Sequence, residues 1–585
     1  MANNSLITNR RLSLHYLGFV GAIALGAILR FWHLDLKPLW MDEVITAIFS
    51  LGKNYHDLPL DVVFPLNRVQ EIFTFQSGVS CEQIAKNLAN QSTHPPLFFC
   101  GMYSWLSWMS PLGTEWVVKL RSLPAFFGVF AIAGIYAVNR IAFSPTSGIM
   151  AALIMAVSPF AVYLSQEARH YTQPMLMITL ALLGLMQIQR DIFDHSRIRF
   201  WVWLLWAIIN SIGLYIHYFF ALAFIAEIAS LLLLMYWARE KILKPRQIWL
   251  ALFLSTSGVV LSFVPWLLVT LSHINRSETS WLPSPTLIAP LYQTLMNWVL
   301  MVIALPVENQ PLPIAVICGL LMVMFALWLC RQVFLGLKLL WLQSSTHLAT
   351  LTLLSFTIFV LLQFLVIAYL FGKDISVVPR YNFVYYPSFC ALLAASLDKS
   401  QKSSGKVERN PNRHRPLSSK VKSQKSILIF LLVGMISSIF VVSNLAFQKP
   451  FQPEQVAQKM NIEPAVPLML MVKYNSYQDV ALGLSFALAL EKIRNYDLKN
   501  PVLQNADHLA FLQASPDFYP VIKKLSPQST SGISQLNLWF VGPGMRQRDY
   551  PPQLAFASQT TCTIDPTQHY RIGIPYQLYR CTNVP

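Results

Sequence analysis

The strongest constraint in this sequence is a series of about eleven apolar segments, each long enough to cross a membrane as a helix. A spanning helix needs about 20 predominantly apolar residues, with about 17 as a lower limit. Only 12% of the 585 residues are charged, whereas soluble domains average about 25%. We therefore expect a polytopic α-helical membrane protein. The predicted spans are residues 14–32, 117–140, 147–164, 173–189, 200–216, 218–237, 248–271, 313–331, 350–371, 380–397 and 427–447.

Lysine and arginine are concentrated between the apolar segments, and this predicts the orientation of the chain. The formal net charge is +17, but no basic run accompanies a nucleic-acid-binding fold, so the charge favours the positive-inside rule over nucleic-acid binding. We expect the cytoplasmic N-terminus to stay attached as the first span, because Arg30, Phe31 and Trp32 follow it instead of a small-residue cleavage site. The basic segments placed in the cytoplasm are residues 190–199, 238–247, 332–349 and 398–426.

This orientation predicts two regions outside the plasma membrane. One is a long first loop, residues 33–115, whose apolar stretch Leu97–Met109 is too short to span and is expected to lie in the membrane interface. The other is a soluble α/β domain, residues 448–585, which is long enough for a core of its own, while residues 1–447 form the transmembrane domain. The expected elements of the soluble domain are strands at Val466–Tyr474, Leu536–Gly542 and His569–Cys581 and a helix at Gln478–Asn495.

Six of the seven cysteines fall into two groups. Cys562 and Cys581 lie in the polar C-terminal region and are expected to pair if that region faces an oxidising compartment. Four other cysteines lie in or beside apolar segments and are expected to behave as small hydrophobic residues. This second group is Cys100, Cys318, Cys330 and Cys390. No metal-type CxxC motif occurs.

Two adjacent acids, Asp42 and Glu43, follow the first span in the stretch PLWMDEVITA, Pro38–Ala47. One interpretation is an N-terminal cap for a helix that begins just after them. The other interpretation is a catalytic role. Neighbouring carboxylates raise each other's proton affinity, and one of them can then take a proton from a hydroxyl. Trp40 and Met41 are expected to hold this loop in the interface.

Other polar residues lie at the ends of spans, and the orientation places them on the same outer face. Each has an ordinary interpretation: His94 as an exposed loop residue, a Glu–Arg pair that fixes a turn, and Arg380 as a snorkelling side chain. Their coincidence favours a walled site in which the arginines bind phosphate. These residues are His94 in THPPLFF, Glu167, Arg169 and His170 in SQEARHYT, His217 and Tyr218 in YIHY, and Arg380 and Tyr381 in VPRYN.

The ordered set PLWMDE, HPPL, QEARHYT and PRYNFVYYP resembles the GT-C membrane glycosyltransferases. Family 39-like members, akin to protein O-mannosyltransferases and lipid A aminoarabinose transferases, are the most similar. The resemblance covers residues 10 to 400. It implies a transferase that moves a sugar from a polyprenyl-phosphate donor to an acceptor hydroxyl of a lipid, polysaccharide or protein at the outer face of the plasma membrane.

The resemblance also implies roles for individual residues. Asp42 matches the catalytic base of the first loop, and Glu43 assists it or orients the acceptor. Glu167 matches a further catalytic position, and Arg169 and Arg380 hold the donor phosphate. We expect Tyr381 and His94 to join them in binding the phosphate, and His170, His217 and Tyr218 to line the substrate cavity. His94 stands where some relatives have lysine. Metal use varies across the superfamily, so a divalent metal stays an open question, and an inverting single displacement is expected because no dedicated nucleophile is evident.

Three alternatives remain at this point. A lipid-linked-sugar transporter or flippase would place ionisable groups within its spans, whereas here they lie at the outer ends. A binding protein anchored by its spans would not need so many of them. An oligosaccharide ligase or polymerase of the same fold would share every motif above.

Overall fold

The computed structural model describes residues 2–272, 282–398, 418–497, 506–513, 535–556 and 560–582. The chain forms two compact units. The first comprises Met1–Leu34, Thr93–Phe98 and Arg121–Phe447, and the second comprises Asp35–Ser92, Phe99–Leu120 and Gln448–Pro585. Most of the predicted first loop therefore belongs to the same unit as the C-terminal region. Residues 399–417 of the predicted basic loop 398–426 lie outside the described residues.

Helices dominate the first unit, as expected for a polytopic membrane protein. Within the described ranges, seven helices are long and apolar enough to cross a membrane, or eight if one bent pair forms a single span. Three shorter apolar helices add to them, but their length alone does not establish that they span, so the predicted number of eleven is not confirmed. The long spans are α1 (Ala2–Phe31), α5 (Trp116–Ala142), α8 (Thr172–Phe193), α10 (Phe220–Trp237), α11 (Pro245–Ser272), α13 (Leu312–Leu342) and α14 (Ser344–Phe371).

The remaining helices are shorter or lie outside the apolar spans. They are α2 (Met41–Ser50), α3 (Cys81–Gln91), α4 (Leu97–Met109), α6 (Pro145–Val157), α7 (Pro159–Ser165), α9 (Phe200–Leu214), α12 (Ala289–Val302), α15 (Tyr386–Leu397), α16 (Ser418–Val442), α17 (Pro453–Met460) and α18 (Tyr477–Asp497). Helix α4 coincides with the predicted Leu97–Met109 segment. Helix α12 was not predicted, because its 14 residues are too few for a span.

The predicted span at residues 147–164 is bent, because α6 and α7 meet at a 60° angle. Proline cannot donate the backbone hydrogen bond that would continue a helix, and Pro159 stands at the break. Ser158 caps the new helix by accepting a bond from the Ala161 N–H at 3.3 Å. Buried Arg30 donates to the carbonyls of Met155 at 2.8 Å and Ala156 at 3.1 Å, which supplies partners for the end of α6.

Helices α13 and α15 approach closely at Gly336, and this contact predicts a clear effect of substitution. A Cβ at position 336 would clash with the carbonyl oxygen of Ser396, a backbone atom that cannot rotate away. We expect Gly336→Ala to destabilise the protein by about 1–3 kcal/mol or more, as overpacking does. Gly319→Ala on the same helix is the matched control, since a Cβ there meets nothing within 4 Å. Thermal unfolding of both variants measures the difference, and equal midpoints would contradict the close contact.

The second unit is built on a seven-stranded mixed sheet with strand order β1-β3-β2-β4-β7-β6-β5. Strand β2 pairs in parallel with β3 and β4, and the other neighbours are antiparallel. Edge strand β1 comes from the first loop, so this loop completes the C-terminal sheet. The strands are β1 (Val63–Pro65), β2 (Leu468–Tyr474), β3 (His508–Gln513), β4 (Gln535–Val541), β5 (Gln553–Phe556), β6 (Thr560–Ile572) and β7 (Ile574–Thr582).

The predicted strands at Val466–Tyr474 and Leu536–Gly542 and the predicted helix at Gln478–Asn495 correspond to β2, β4 and α18, whereas β3, β5 and α17 were not predicted. The strand expected at His569–Cys581 is a hairpin, because Gly573 adopts φ +74° between β6 and β7, a conformation that suits glycine.

Two disulfides lie in the second unit. Cys562 pairs with Cys581 across β6 and β7. Cys100 pairs with Cys81, so the expectation that Cys100 acts as a small hydrophobic residue is wrong. An apolar helix context hid its partner, which lies at the start of α3.

Candidate functional site

Four connecting segments of the first unit bring the predicted polar residues together. They are the segment Thr93–Phe98, the turn between α7 and α8, the turn between α9 and α10, and the helical turn Pro379–Val384 that follows α14. The Leu97 N–H donates to the carbonyl of Tyr215 at 3.1 Å and ties the first segment to the third. We call the group His94, Arg169, His170, Tyr171, His217 and Arg380 the His–Arg cluster.

Three imidazoles form a row through the His–Arg cluster. The ring of His170 lies 4.6 Å from that of His94 and 4.7 Å from that of His217, measured between centroids. One end of the row meets a positive charge, since Nη2 of Arg169 lies 3.5 Å from Nε2 of His94. His170 and Arg169 are almost completely buried, with 0% and 3% of their surface exposed. The row is thus a packed wall rather than a set of solvated loop residues.

Tyr171 joins the two arginines. The guanidinium of Arg169 lies 5.6 Å from the centre of the Tyr171 ring, and that of Arg380 lies 5.9 Å from it. Arg380 Nε also donates a hydrogen bond to the Tyr171 hydroxyl at 3.0 Å. Cation–π contacts of this kind hold a guanidinium in place without neutralising it. Tyr171 was not predicted from the sequence, although its position beside His170 in QEARHYT could have indicated it.

The environment keeps the three histidines neutral at pH 7. Burial lowers the pKa of His217 to about 3, and the charge of Arg169 acts in the same direction. Burial first, and then neighbouring basic groups, hold the pKa values of His94 and His170 well below the usual range. The Phe219 N–H donates to Nδ1 of His217 at 3.0 Å, so a neutral His217 carries its proton on Nε2. The fixed positive charge of the cluster therefore comes from Arg169 and Arg380.

This depression of pKa predicts a loss of stability in acid. A lowered folded-state pKa means that the unfolded chain binds protons first, so stability is unaffected above about pH 6.5 and falls below it. For His217 the loss at pH 5.5 amounts to about 1.4 kcal/mol. We expect the thermal midpoint of His217→Phe to fall less than that of the native chain between pH 7.5 and 5.5. Equal shifts in the two proteins would show that His217 does not resist protonation.

The other predicted residues of this region lie around the His–Arg cluster. Glu167 is 1% exposed, and its carbonyl accepts the Arg169 N–H at 2.7 Å. Tyr381 lies with its ring 5.9 Å from the Arg380 guanidinium and edge-on to Phe219. Tyr218 lies in the turn beside His217.

Asp42 and Glu43 belong to the second unit. They are not cap residues, because α2 begins at Met41 and its N-cap position is Trp40. Both acids lie in the first helical turn, where the helix dipole favours negative charge. Glu43 is 0% exposed and pairs with the ammonium of Lys449 at 3.4 Å, whereas Asp42 is 9% exposed. Trp40 is 2% exposed, so the expectation that it holds the loop in a lipid interface is wrong.

The site offers no evident metal centre. Among the described residues, no group of three or more His, Cys, Asp or Glu side chains has an arrangement that could hold a metal ion. The three imidazoles of the His–Arg cluster contact one another through their rings.

Solved structures with similar folds are known. ArnT from Cupriavidus metallidurans bound to undecaprenyl phosphate matches 97% of this chain and 98% of its own, with a TM-score of 0.51 and 12% identity. Its apo state matches 100% and 99%, again with a TM-score of 0.51 and 12% identity. The archaeal oligosaccharyltransferase AglB from Archaeoglobus fulgidus gives a weaker match over 90% and 69% of the chains, with a TM-score of 0.45 and 11% identity. No protein-family model and no curated protein sequence matches this chain.

The two ArnT matches extend over nearly the whole of both chains. They confirm the predicted GT-C fold, a polytopic helical part joined to a C-terminal sheet. At 12% identity the likeness concerns the fold.

Proposed function

We propose that this protein is a membrane glycosyltransferase that takes a sugar from a polyprenyl-phosphate donor and transfers it to an acceptor hydroxyl. Its His–Arg cluster holds the donor phosphate, with Arg169 and Arg380 as the two cationic ligands. The fold supports this proposal, because the ArnT structure that shares it was solved with undecaprenyl phosphate bound. Fold likeness alone does not establish activity, so the proposal rests on the cluster.

The observation that carries the proposal is the arrangement of the two arginines about Tyr171. Their guanidinium groups lie at 5.6 Å and 5.9 Å from the same ring. The two arginines are far apart in the sequence, with several apolar helices between them. Guanidinium groups match phosphate oxygens in a bidentate manner and stay charged at all relevant pH values. The neutral imidazoles of His94 and His217 add hydrogen-bonding capacity without further charge. Such a site stabilises a phosphate group as it departs from the sugar.

The proposed reaction is a single displacement with inversion at the anomeric carbon. The acceptor hydroxyl attacks that carbon, its proton passes to Asp42, and the bond from the carbon to the phosphate oxygen breaks. The phosphate leaves with both electrons of that bond. Glu43 belongs to this proposal only as a support for Asp42, because it is already engaged with Lys449. Retention of configuration in the product would overturn the displacement.

We place the reaction at the outer face of the plasma membrane, with the N-terminus in the cytoplasm. The distribution of basic segments supports this orientation. The two disulfides of the second unit, Cys81–Cys100 and Cys562–Cys581, support an oxidising compartment for that unit.

Removal of either arginine tests the donor site. We expect Arg169→Ala and Arg380→Ala each to raise the KM for donor by about 10- to 100-fold, since a charge-assisted hydrogen bond contributes about 1.5–3 kcal/mol, while the KM for acceptor changes little. The assay measures sugar transfer in reconstituted membranes from a panel of synthetic polyprenyl-phosphate sugars. Arg190→Ala, at an exposed pair with Asp194, is the matched control. Equal loss for donor and acceptor would indicate a structural role instead.

A further inference from the structure

The surface of the second unit contains an open polar pocket that the proposed reaction does not use. Its volume is about 320 Å³, within the range of about 300–1,000 Å³ typical of small-molecule sites. Four amide side chains, one imidazole and one phenol line it, and no acidic, lysine or arginine side chain does. The lining residues are Asn54, His56, Asn87, Asn90, Gln91 and Tyr477. We call this cavity the amide pocket.

Three amides of the pocket are fixed in orientation by the backbone. Asn54 Oδ1 accepts the His56 N–H at 2.8 Å, so its NH₂ group remains to donate. Gln91 Oε1 accepts the Tyr55 N–H at 2.8 Å, so the NH₂ group of Gln91 also remains to donate. Asn87 Nδ2 donates to the Gly52 carbonyl at 2.9 Å, so its oxygen remains to accept. The pocket thus holds oriented donors and an acceptor together.

An aromatic ring forms another part of the amide pocket. Tyr477 stacks on buried Tyr55 with 4.4 Å between ring centroids and an interplanar angle of 4°, while the ring of His56 stands edge-on to it at 6.0 Å. One face of Tyr477 is therefore fixed against the protein, and its ring is held rigidly. Within the described part of the chain, the Asn90 amide and the Tyr477 hydroxyl have no hydrogen-bond partner.

We propose that the amide pocket binds a neutral sugar unit. Sugar hydroxyls both donate and accept hydrogen bonds, which matches a lining that offers both roles through neutral side chains. The C–H groups of a pyranose pack against aromatic rings, and Tyr477 supplies one. The lack of charged side chains disfavours phosphate or carboxylate groups, which need cationic partners. Sugar binding in the amide pocket does not depend on the proposed transfer reaction. The further step, that the bound sugar is part of the acceptor glycan, rests on the proposed function.

Saccharide binding to the full chain tests the inference. The protein is placed in lipid nanodiscs, because maltoside detergents carry the ligand class in question. Saturation-transfer difference NMR then measures maltotriose, cellotriose and mannotriose, with tri-serine as a polar probe that is not a sugar. We expect at least one saccharide to bind with millimolar affinity, and tri-serine to give no signal. No saccharide signal, or a signal for tri-serine alone, would overturn the proposal.

Two variants locate the binding in the pocket. Asn90→Ala and Tyr477→Phe each remove one uncommitted polar group and keep the backbone contacts and the Tyr55 stack, so each is expected to weaken binding about three- to tenfold. Lys86→Ala is the matched control, because Lys86 lies on the same helix as Asn90 in an exposed pair with Glu82. Unchanged affinity in both pocket variants would overturn the site. Asp42→Asn should bind saccharide normally even where it fails to transfer sugar, which separates this inference from the proposed function.

Discussion

Replacing Asp42 by asparagine is expected to lower the rate of sugar transfer by about 10²- to 10⁴-fold, the usual contribution of a positioned general base. The amide keeps the size of the side chain but cannot take the acceptor proton. Asp42 lies in the first turn of α2 and is 9% exposed, so the loss of its charge weakens the interaction with the helix dipole, an effect of about 0.3–1 kcal/mol. Activity should therefore fall far more than stability.

Steady-state transfer rates and thermal midpoints, measured on the same reconstituted samples, separate these effects. Glu71→Gln is the matched control, because Glu71 lies in the same first loop in an exposed pair with Arg68 and should leave the rate unchanged. Asp42→Glu should restore part of the activity, as it returns a carboxylate to the position. Full activity in Asp42→Asn would show that another group accepts the proton.

Four of the polar residues singled out in the sequence lie close together in the structure, for a physical reason. Arg169, His170, His217 and Arg380 stand at ends of apolar segments, where a polar residue is conspicuous against its surroundings. Helices of similar length that cross one membrane end at similar depths. Polar residues at these ends therefore come close to one another, although they are far apart in the sequence. Tyr171 escaped notice because an aromatic residue at a helix end is ordinary in a membrane protein, and its bridging role appears only through the distances to both guanidinium groups.

Features that depend on partners distant in sequence could not be predicted in the same way. Apolar periodicity continues smoothly through Ser158, and the 60° bend needs Arg30 from another helix to satisfy the end of α6. Likewise, β1 is only three residues long and becomes a strand because β3 offers it a free edge. The pairing of Cys81 with Cys100 joins a polar helix start to an apolar helix, and composition points away from it.

Glu43 is the clearest case of a residue whose surroundings change its interpretation. The sequence presents it as a companion of Asp42, but its carboxylate lies 3.4 Å from the Lys449 ammonium, with 0% and 2% of the two side chains exposed. Removing one partner of a buried pair leaves an uncompensated charge and costs about 3–5 kcal/mol. We expect Glu43→Gln and Lys449→Met each to lower the thermal midpoint of the full chain by roughly 10 °C, at about 2–4 °C per kcal/mol for a unit of this size.

The double variant Glu43→Leu/Lys449→Met distinguishes a buried charge from a specific catalytic need. Replacing both partners by apolar side chains of similar volume is often neutral or stabilising, so the double variant should recover most of the midpoint lost by either single variant. Glu82→Gln, which breaks an exposed pair with Lys86, should shift the midpoint by little, because water screens the attraction between exposed charges. If the double variant recovers both stability and transfer, Glu43 serves the fold alone. Recovered stability without transfer would instead assign Glu43 to the positioning of Asp42.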